Sequence, residues 1–431
     1  MDQRAKTLQF ADPSRKRSRA AIVIGLLCIA ACAGRGCQRA QLKSGAVPHS
    51  LPKGELAGSG VDSNALQTLL AHAKEERSSA IVIVKDGKIV VEMYRDGYDG
   101  GPLTAMSASK SIVSIAIGML IADNKLSLDT RMDALLPEWK DQGDKSTITV
   151  RQLLTHTSGL DPSRANFDKQ ETIREHALKA PLVFMPGTNF QYNNGAVDFL
   201  AVVARHAAGI PLDAYLDARL FQKLDMAAAS CVKDSEGTAR GADALLIRPV
   251  DLAKVGMMML DEGRWNGQQL VPVDWVKRSI DAGQSFDERC GLLWWREGKF
   301  APVLSESVLE SMQRLGLYEA AERALPLLGK KFSTWDEYAA AAKAAVGEEN
   351  VKKLYAAEVT GDHIHFFSSV TDGPVTGFSA RGSLGQFLVV LPKRHVVAVR
   401  MRAAEASDYE QPTVYKNGYG AFSDDVAKLW P

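Results

Sequence analysis

A helix that is apolar on nearly every side constrains this fold most strongly. Residues 111–121 place large aliphatic side chains at positions that cover almost the whole helix circumference. Such a helix has to be surrounded by other elements, so we expect it at the centre of a sizeable core. Its apolar members are Ile112, Val113, Ile115, Ala116, Ile117, Met119, Leu120 and Ile121.

Ser107 and Lys110 open this helix and form an S-x-x-K string. Residues three apart share a helix face, so a neutral lysine amine there can take the serine hydroxyl proton. The positive end of the helix dipole would also favour a nucleophile at this terminus. Similar strings begin at Ser50 and Ser230, but Pro52 interrupts the first and a polar segment follows the second. The alternative interpretation is that Ser107 caps an ordinary core helix.

Composition excludes several classes of function. The 431 residues carry a net charge of +1, which argues against binding of nucleic acid through phosphate contacts. The chain has no Walker loop, dinucleotide fingerprint, H-E-x-x-H or G-x-S-x-G string, so we expect no cofactor. His363 and His365 share a strand face, but no third ligand stands at metal spacing, so we expect no metal site.

The first 32 residues are predicted to be an export signal. Four basic residues between 15 and 19 precede an apolar run at 20–31, which is too short to span a bilayer. The string Ile29-Ala30-Ala31-Cys32 resembles a bacterial lipobox, which predicts a lipid on Cys32. A plain cleaved signal and an uncleaved anchor are the alternatives. We expect the body in the periplasm or cell envelope, attached to the outer membrane through that lipid, or else secreted.

Residues 33–61 are predicted to be a flexible tether and 62–431 the folded domain. We expect an α/β (α+β) fold, because strands near both ends of this domain enclose helices and so form a sheet from distant parts of the chain. The predicted strands lie at 80–84, 89–94, 291–295, 363–370, 379–391 and 395–402. Residues 125–280 are predicted to be mostly helical, without a strong strand. Residues 301–361 are predicted to be a helical insert, with a cap at Ser333-x-x-Asp336.

Two further strings can carry chemistry. Tyr192-x-Asn194 follows a turn, and a tyrosine phenolate beside a lysine ammonium can act as a general base. Its alternative is a core tyrosine. The glycine-rich string 380–386 allows close backbone approach, so an N–H there and that of Ser107 could form an oxyanion hole. Its alternative is a bulged strand. For His156, at a predicted helix end, capping or packing is favoured over catalysis. Cys231 and Cys290 could pair or remain separate thiols.

Together these residues resemble the serine β-lactamase and penicillin-binding-protein superfamily, on its class C and esterase-like side. The resemblance covers about 62–300 and 362–431. Its parts follow the family's order: Ser107-x-x-Lys110, Thr155-His156-Thr157-Ser158-Gly159-Leu160, Tyr192-x-Asn194, Asp251-Leu252-Ala253, Gly263-x-Trp265-Asn266-Gly267 and the glycine string at 380–386. It implies a β-lactamase-like fold: an antiparallel sheet flanked by helices, an all-helical subdomain, and here the insert near 301–361.

The resemblance also implies roles for individual residues. Ser107 would be acylated, Lys110 and Tyr192 would share the base work, and Asn194 would position the substrate. The N–H groups of Ser107 and Ser383 would form the oxyanion hole, and water would release the acyl group.

The third family motif differs in this chain. Many β-lactamases and peptidases have Lys-Thr-Gly where this sequence has Ala380-Arg381-Gly382, and that lysine faces the substrate carboxylate. Gly382 is therefore expected beside the substrate, and Arg381 only if its side chain faces the site. The change is more like the branch of esterases and 6-aminohexanoate-dimer hydrolases. The insert precedes this strand, where it could overhang the pocket as a lid.

We therefore expect an exported serine hydrolase that cleaves a small-molecule or peptide ester or amide. A second hypothesis is a D-Ala-D-Ala peptidase or β-lactamase. A third is an inactive relative that binds peptidoglycan or a partner through the insert; the presence of Ser107, Lys110 and Tyr192 argues against it.

Overall fold

The structure is a computed structural model. It describes residues 51–166, 169–226, 229–360, 368–405, 408 and 419–431. The predicted export signal with Cys32, and the histidines 363 and 365, lie outside these residues. Residues up to 403 and from 419 onward belong to one compact unit, whereas 404, 405 and 408 are assigned to a second.

A six-stranded antiparallel sheet organises the fold, in the order β2-β1-β11-β10-β9-β8. Its strands are β1 (Ala80–Lys85), β2 (Lys88–Tyr94), β8 (Trp295–Val303), β9 (Ser368–Gly382), β10 (Gln386–Leu391) and β11 (Val396–Met401). The first strand pairs with the last, with Ala80 opposite Met401 and Lys85 opposite Val396. The expectation of a sheet built from distant parts of the chain is therefore confirmed.

Both faces of the sheet are covered, which explains the unbroken apolar run of β1. Ile81 and Ile83 face a core formed with α1 (Ser63–Glu75) and α14 (Phe422–Lys428). Val82 and Val84 face the larger core formed with the helical region. Strands buried on both sides have continuous hydrophobic sequences rather than alternating ones.

The helices between β2 and β8 form the second part of the body. They are α2 (Ser109–Ala122), α3 (Met132–Leu135), α4 (Val150–Leu154), α5 (Ile173–Lys179), α6 (Asn194–Ala208), α7 (Leu212–Leu216), α8 (Pro249–Leu260) and α9 (Val273–Ile280). Short strands accompany them: β3 (Leu103–Thr104), β4 (Ser230–Cys231), β5 (Leu245–Ile247), β6 (Arg264–Trp265) and β7 (Gln268–Gln269).

The predicted central helix is confirmed as α2, which is buried from Ser109 to Leu120. Gly118 lets the ring of Trp275 lie directly on this helix, because an added Cβ would be 2.2 Å from the ring. Among the described residues, no single helix is long and apolar enough to cross a membrane, although α6 together with Leu212–Phe221, bent by 69°, meets the length and composition test.

The sequence pattern misplaced the end of the glycine-rich strand. Residues 379–391 were expected as one strand, but β9 ends at Gly382, a turn occupies Ser383–Gly385, and β10 begins at Gln386. Positive φ angles at Leu384 (64°) and Gly385 (75°) reverse the chain there. Similarly, the strand expected at 291–295 begins only at Trp295 and extends to Val303.

The insert has its own hydrophobic core, which includes Leu304, Met312, Tyr338 and Leu354. Its helices are α10 (Glu306–Arg314), α11 (Tyr318–Ala324), α12 (Trp335–Val346) and α13 (Glu348–Thr360). The expected Ser333 cap is wrong: the Thr334 side chain accepts the Glu337 N–H instead. The guanidinium of Arg289 lies 5.1 Å from the Trp335 ring centroid and joins the insert to the body. That the insert overhangs the pocket stays a prediction.

The two cysteines of the folded part are both free thiols. Cys290 is buried, and burial raises the pKa of its thiol well above the usual range. Burial also raises the pKa of Cys231 to about 12. Cys231 and Cys290 are therefore separate thiols, which was the alternative to a disulfide.

Candidate active site

Ser107 lies in a short 3-10 turn, Met106–Ala108, that leads into α2. The turn is tightly held: the Met106 N–H donates to Thr104 Oγ1 at 3.3 Å, and Ser109 Oγ donates to the Met106 carbonyl at 2.6 Å. Met106 has φ of 48°, an uncommon value for a residue with a side chain. The N-cap of α2 is Ala108, and no side chain caps this helix, so the alternative of Ser107 as the cap is wrong.

Lys110 Nζ lies 3.0 Å from Ser107 Oγ. The lysine is 3% exposed, and its amine also donates to the Ala242 carbonyl at 2.7 Å. The spacing of the two residues in the sequence therefore brings the hydroxyl and the amine into hydrogen-bonding contact. This arrangement lets a neutral amine remove the hydroxyl proton as the oxygen attacks a carbonyl carbon.

Tyr192 covers the same amine. Lys110 Nζ lies 4.8 Å from the Tyr192 ring centroid, which is within the range of a cation–π contact. The half-buried tyrosine ring also stacks with Trp295 at 6.4 Å between centroids. Trp295 is the first residue of β8, and sequence reasoning did not identify it, because an aromatic residue at the start of a strand carries no catalytic signal.

The His156 ring packs against the ring of Tyr192. Its ring is 4.6 Å from the Tyr192 ring, and its Nδ1 accepts the Asn193 N–H at 3.2 Å. Burial, together with the positive charge of Lys110, lowers the pKa of His156 to about 3. The imidazole is therefore neutral at physiological pH, with its proton on Nε2. This geometry fits the interpretation that His156 packs against the tyrosine.

Asn193 and Asn194 begin α6 and have different surroundings. Asn193 is the N-cap: its Oδ1 accepts the Ala196 N–H at 2.8 Å, and its Nδ2 donates to the Leu160 carbonyl at 2.7 Å. Within the described part of the chain, the buried Oδ1 of Asn194 has no hydrogen-bond partner. Buried polar atoms rarely lack a hydrogen-bond partner. This oxygen of Asn194 is therefore available to an incoming polar group.

Gly382 brings the end of β9 against the serine turn. A Cβ at this position would be 2.6 Å from the Ala105 carbonyl oxygen and 2.9 Å from Ser107 N. Real Cβ atoms do not approach backbone so closely, so this contact requires glycine. Ser383 follows Gly382 directly as the first residue of the turn.

Arg381 does not face the serine, contrary to the expectation that it could bind substrate. Its guanidinium pairs with Glu297 at 2.7 Å, and its Nε donates to Ser379 Oγ at 2.9 Å. It also lies 5.8 Å from the ring of Phe387, which belongs to the core on the α1 and α14 side. Alternation along β9 explains this, since Arg381 points opposite to its neighbours Ala380 and Gly382.

A family model described as Beta-lactamase matches residues 66–410. The chain belongs to the Beta-lactamase family. The resemblance predicted from the motifs is confirmed, and the residues gathered around Ser107 all lie within the matched range.

Curated relatives include proteins named as an esterase and as a hydrolase. Esterase EstB of Burkholderia gladioli is 35% identical over 142 residues, which are 28% of this chain and 36% of the esterase. The 6-aminohexanoate-dimer hydrolase of Paenarthrobacter ureafaciens is 25% identical over 242 residues, or 51% of this chain and 61% of the hydrolase. The chain thus matches less than two-thirds of the length of each relative.

Solved structures show the same fold over most of the chain. EstCE1, a hydrolase with promiscuous acyltransferase activity, aligns with a TM-score of 0.56 at 13% identity, covering 86% of this chain and 98% of that one. The β-lactamase/D-alanine carboxypeptidase of Pseudomonas syringae aligns with a TM-score of 0.52 at 15% identity, covering 82% and 97%. The predicted fold class is therefore confirmed.

Proposed function

We propose that this protein is a serine hydrolase that cleaves an ester or amide through an acyl-enzyme on Ser107. The observation that carries the proposal is the 3.0 Å contact between Lys110 Nζ and Ser107 Oγ. Membership of the Beta-lactamase family supports it, and so does the similarity to relatives named esterase and 6-aminohexanoate-dimer hydrolase.

The reaction has two halves. Ser107 Oγ attacks the carbonyl carbon while Lys110, assisted by Tyr192, takes the hydroxyl proton. That proton passes to the leaving alcohol or amine as its bond to the carbonyl carbon breaks. Water then attacks the acyl carbonyl carbon and loses a proton to the same base. The bond between that carbon and Ser107 Oγ breaks, Oγ takes the proton back from the base, and the acid is released. Asn194 orients the substrate, and the N–H groups of Ser107 and Ser383 stabilise the oxyanion in both halves.

A substrate without a carboxylate next to the scissile bond fits the site best. Ala380 takes the position of the family's motif lysine, and it is fully buried on the same strand face as Gly382. Arg381 does not replace that lysine, because its guanidinium is held by Glu297. We therefore favour a neutral ester over a penicillin or a D-Ala-D-Ala peptide.

A matched pair of buried lysines tests the base. Lys145 is 7% exposed and donates to the Ala180 carbonyl at 2.8 Å, so it resembles Lys110 in burial but lacks the serine contact. Lys110→Met should lower kcat on p-nitrophenyl butyrate by about 1000-fold, and Lys145→Met should leave kcat within about threefold of wild type. Equal activity of the two variants would contradict the role of Lys110.

A fluorescent penicillin tests the substrate class. We expect rapid ester hydrolysis and no lasting label on Ser107. Stoichiometric labelling that is lost in Ser107→Ala would instead favour the peptidase or β-lactamase hypothesis.

We also propose that the enzyme acts in the periplasm or cell envelope, tethered through a lipid on Cys32. The basic residues, apolar run and lipobox-like string of the first 32 residues support this. Labelling with radioactive palmitate should mark the wild-type protein and not Cys32→Ser. Recovery of both forms, unlabelled, in the cytoplasmic fraction would contradict it.

A further inference from the structure

Lys110 has a second anchor besides the serine, and this anchor lies far away in the sequence. Its amine donates to the Ala242 carbonyl at 2.7 Å, and Ala242 lies in the loop that leads into β5. A neutral amine has two N–H groups and one lone pair. When the Ala242 carbonyl accepts one N–H, the lone pair is left free to face the hydroxyl of Ser107. The position of that carbonyl therefore restricts the orientations of the amine and favours those in which the lone pair faces Ser107.

Asp198 holds Ala242 in place. It lies on α6, one turn after Asn194, and only 4% of it is exposed. Its Oδ1 accepts the Ala242 N–H at 2.9 Å. Ala242 thus connects Asp198 to Lys110, with its N–H donating to one side chain and its carbonyl accepting from the other.

Arg164 in turn holds Asp198. Its Nε donates to Asp198 Oδ2 at 2.9 Å, and the same guanidinium pairs with Asp243, the residue after Ala242. Arg164 and Asp198 are 21% and 5% exposed at their side chains. A mostly buried guanidinium between two carboxylates makes strong, directional bonds, and these secure α6 to the loop on both sides of the Ala242 peptide.

We propose that Asp198, held by Arg164, is a positioning residue that orients the Lys110 amine toward Ser107 through the Ala242 peptide. This inference rests on the proposed function, because it assigns Asp198 a role only in the activation of Ser107. Asp198 does not contact the serine and exchanges no proton with it. Displacement of a reacting group by about 1 Å can lower a rate by about 100-fold, so loss of this anchor should be measurable.

The test is the rate at which a fluorophosphonate modifies Ser107, because that reaction requires activation of the serine and no deacylation. D198A should lower this rate and kcat on p-nitrophenyl butyrate together, by about tenfold or more, with KM changed by less than about threefold. D198N keeps an oxygen for the Ala242 N–H but places an amide NH2 where Oδ2 accepts from Arg164. It should therefore recover both rates only in part, with a loss clearly smaller than that of D198A.

A second buried carboxylate provides the control. Asp251 is 1% exposed and pairs with Arg248 at 2.6 Å and Lys254 at 3.1 Å, outside the Lys110 contacts. D251A should lower the melting temperature without slowing the modification of Ser107. A rate for D198A within twofold of wild type, or equal losses in D198A and D198N, would overturn the proposal.

Two further results distinguish a failure of the positioning role from misfolding of D198A and from a failure of the proposed function. If D198A is recovered unfolded, R164A and R164K replace the pair. The alanine variant should slow modification of Ser107, and the lysine variant, which keeps the charge but not the fork, should slow it less. No difference between them would overturn the proposal. If wild type itself does not react and hydrolyses no ester, the proposed function fails. Failure of the positioning role alone would leave wild type reactive.

Discussion

Gly382 lies so close to Ser107 that a single methyl group would not fit between them. An added Cβ would be 2.9 Å from Ser107 N and 2.6 Å from the Ala105 carbonyl oxygen. The N–H of Ser107 is one of the two donors that we assign to the oxyanion hole, and the other belongs to Ser383, the next residue after Gly382. The same close approach therefore brings the residue before the second donor against the serine turn.

Gly382→Ala should impair catalysis more than folding. The methyl group would force the end of β9 away from the serine turn and weaken an oxyanion contact, and loss of one such donor raises the barrier by about 3 kcal/mol. We expect kcat on p-nitrophenyl butyrate to fall by about 100-fold. The control is Gly347→Ala in the insert, where an added Cβ meets no atom but φ of 87° strains the backbone, so stability should fall and kcat should not. Wild-type kcat in Gly382→Ala would show that the contact is not needed.

Tyr192→Phe should separate the base from the packing role of the ring. The phenylalanine ring can keep the stacking on Trp295 and the contact with His156, but it has no hydroxyl. We expect kcat to fall by about 100-fold or more with little change in melting temperature, because proton transfer contributes about 10²–10⁴-fold. Tyr215→Phe, at a buried tyrosine of α7, should leave kcat unchanged. An active Tyr192→Phe enzyme would leave Lys110 as the sole base.

Arg381→Ala should leave ester hydrolysis almost unchanged. The Arg381 side chain is 41% exposed and pairs with Glu297 on the sheet face opposite to Gly382, so its loss removes a partly screened ion pair of about 1 kcal/mol or less. kcat/KM on p-nitrophenyl butyrate should remain within about twofold of wild type. Glu297→Gln, which removes the charge of the partner, should give the same result. A tenfold loss confined to substrates with a carboxylate would show that Arg381 reaches the substrate.

Neutral, buried His156 should make stability depend on pH. Its pKa is about 3 in the fold and 6.5 in its ordinary environment, so the unfolded chain binds the proton first as pH falls. The stabilisation from this group is complete above pH 6.5 and is lost between 6.5 and about 3, by up to about 1.4 kcal/mol per pH unit. Denaturant unfolding between about pH 4 and 7 should show this slope.

Two variants assign the slope to this residue. His156→Gln should reduce it by about one proton, and His206→Gln, at an exposed histidine, should not. An unchanged slope in His156→Gln would mean that His156 is not the group that titrates.

Local patterns predicted the helix that carries the site but not the contacts that complete it. The S-x-x-K spacing and the apolar run predicted both α2 and the meeting of Ser107 with Lys110, because residues three apart on a helix are neighbours. Alternation of strand residues could have predicted the direction of Arg381, but only with the correct register. The turn at Ser383–Gly385 was missed because the reversal depends on a positive φ at Leu384, a residue type that gives no turn signal.

The partners of Lys110 and Tyr192 were beyond reach from sequence for a different reason. Ala242 and Trp295 are brought to the site by tertiary packing, across 132 residues for the bond to Lys110. An alanine that acts through its backbone carbonyl has no side-chain signature. Asp198 follows the Tyr192 string closely, but Arg164 lies 34 residues before Asp198, and their pairing depends on the path of the loop at 161–166.

The most direct test is the intact mass of the purified protein after treatment with a fluorophosphonate. Wild type should gain one adduct, Ser107→Ala should gain none, and Ser230→Ala should behave as wild type. Ser230 is the matched control because it also begins an S-x-x-K string but lies exposed on the short strand β4. An adduct that persists in Ser107→Ala, or no adduct on active wild type, would contradict the assignment of Ser107 as the nucleophile.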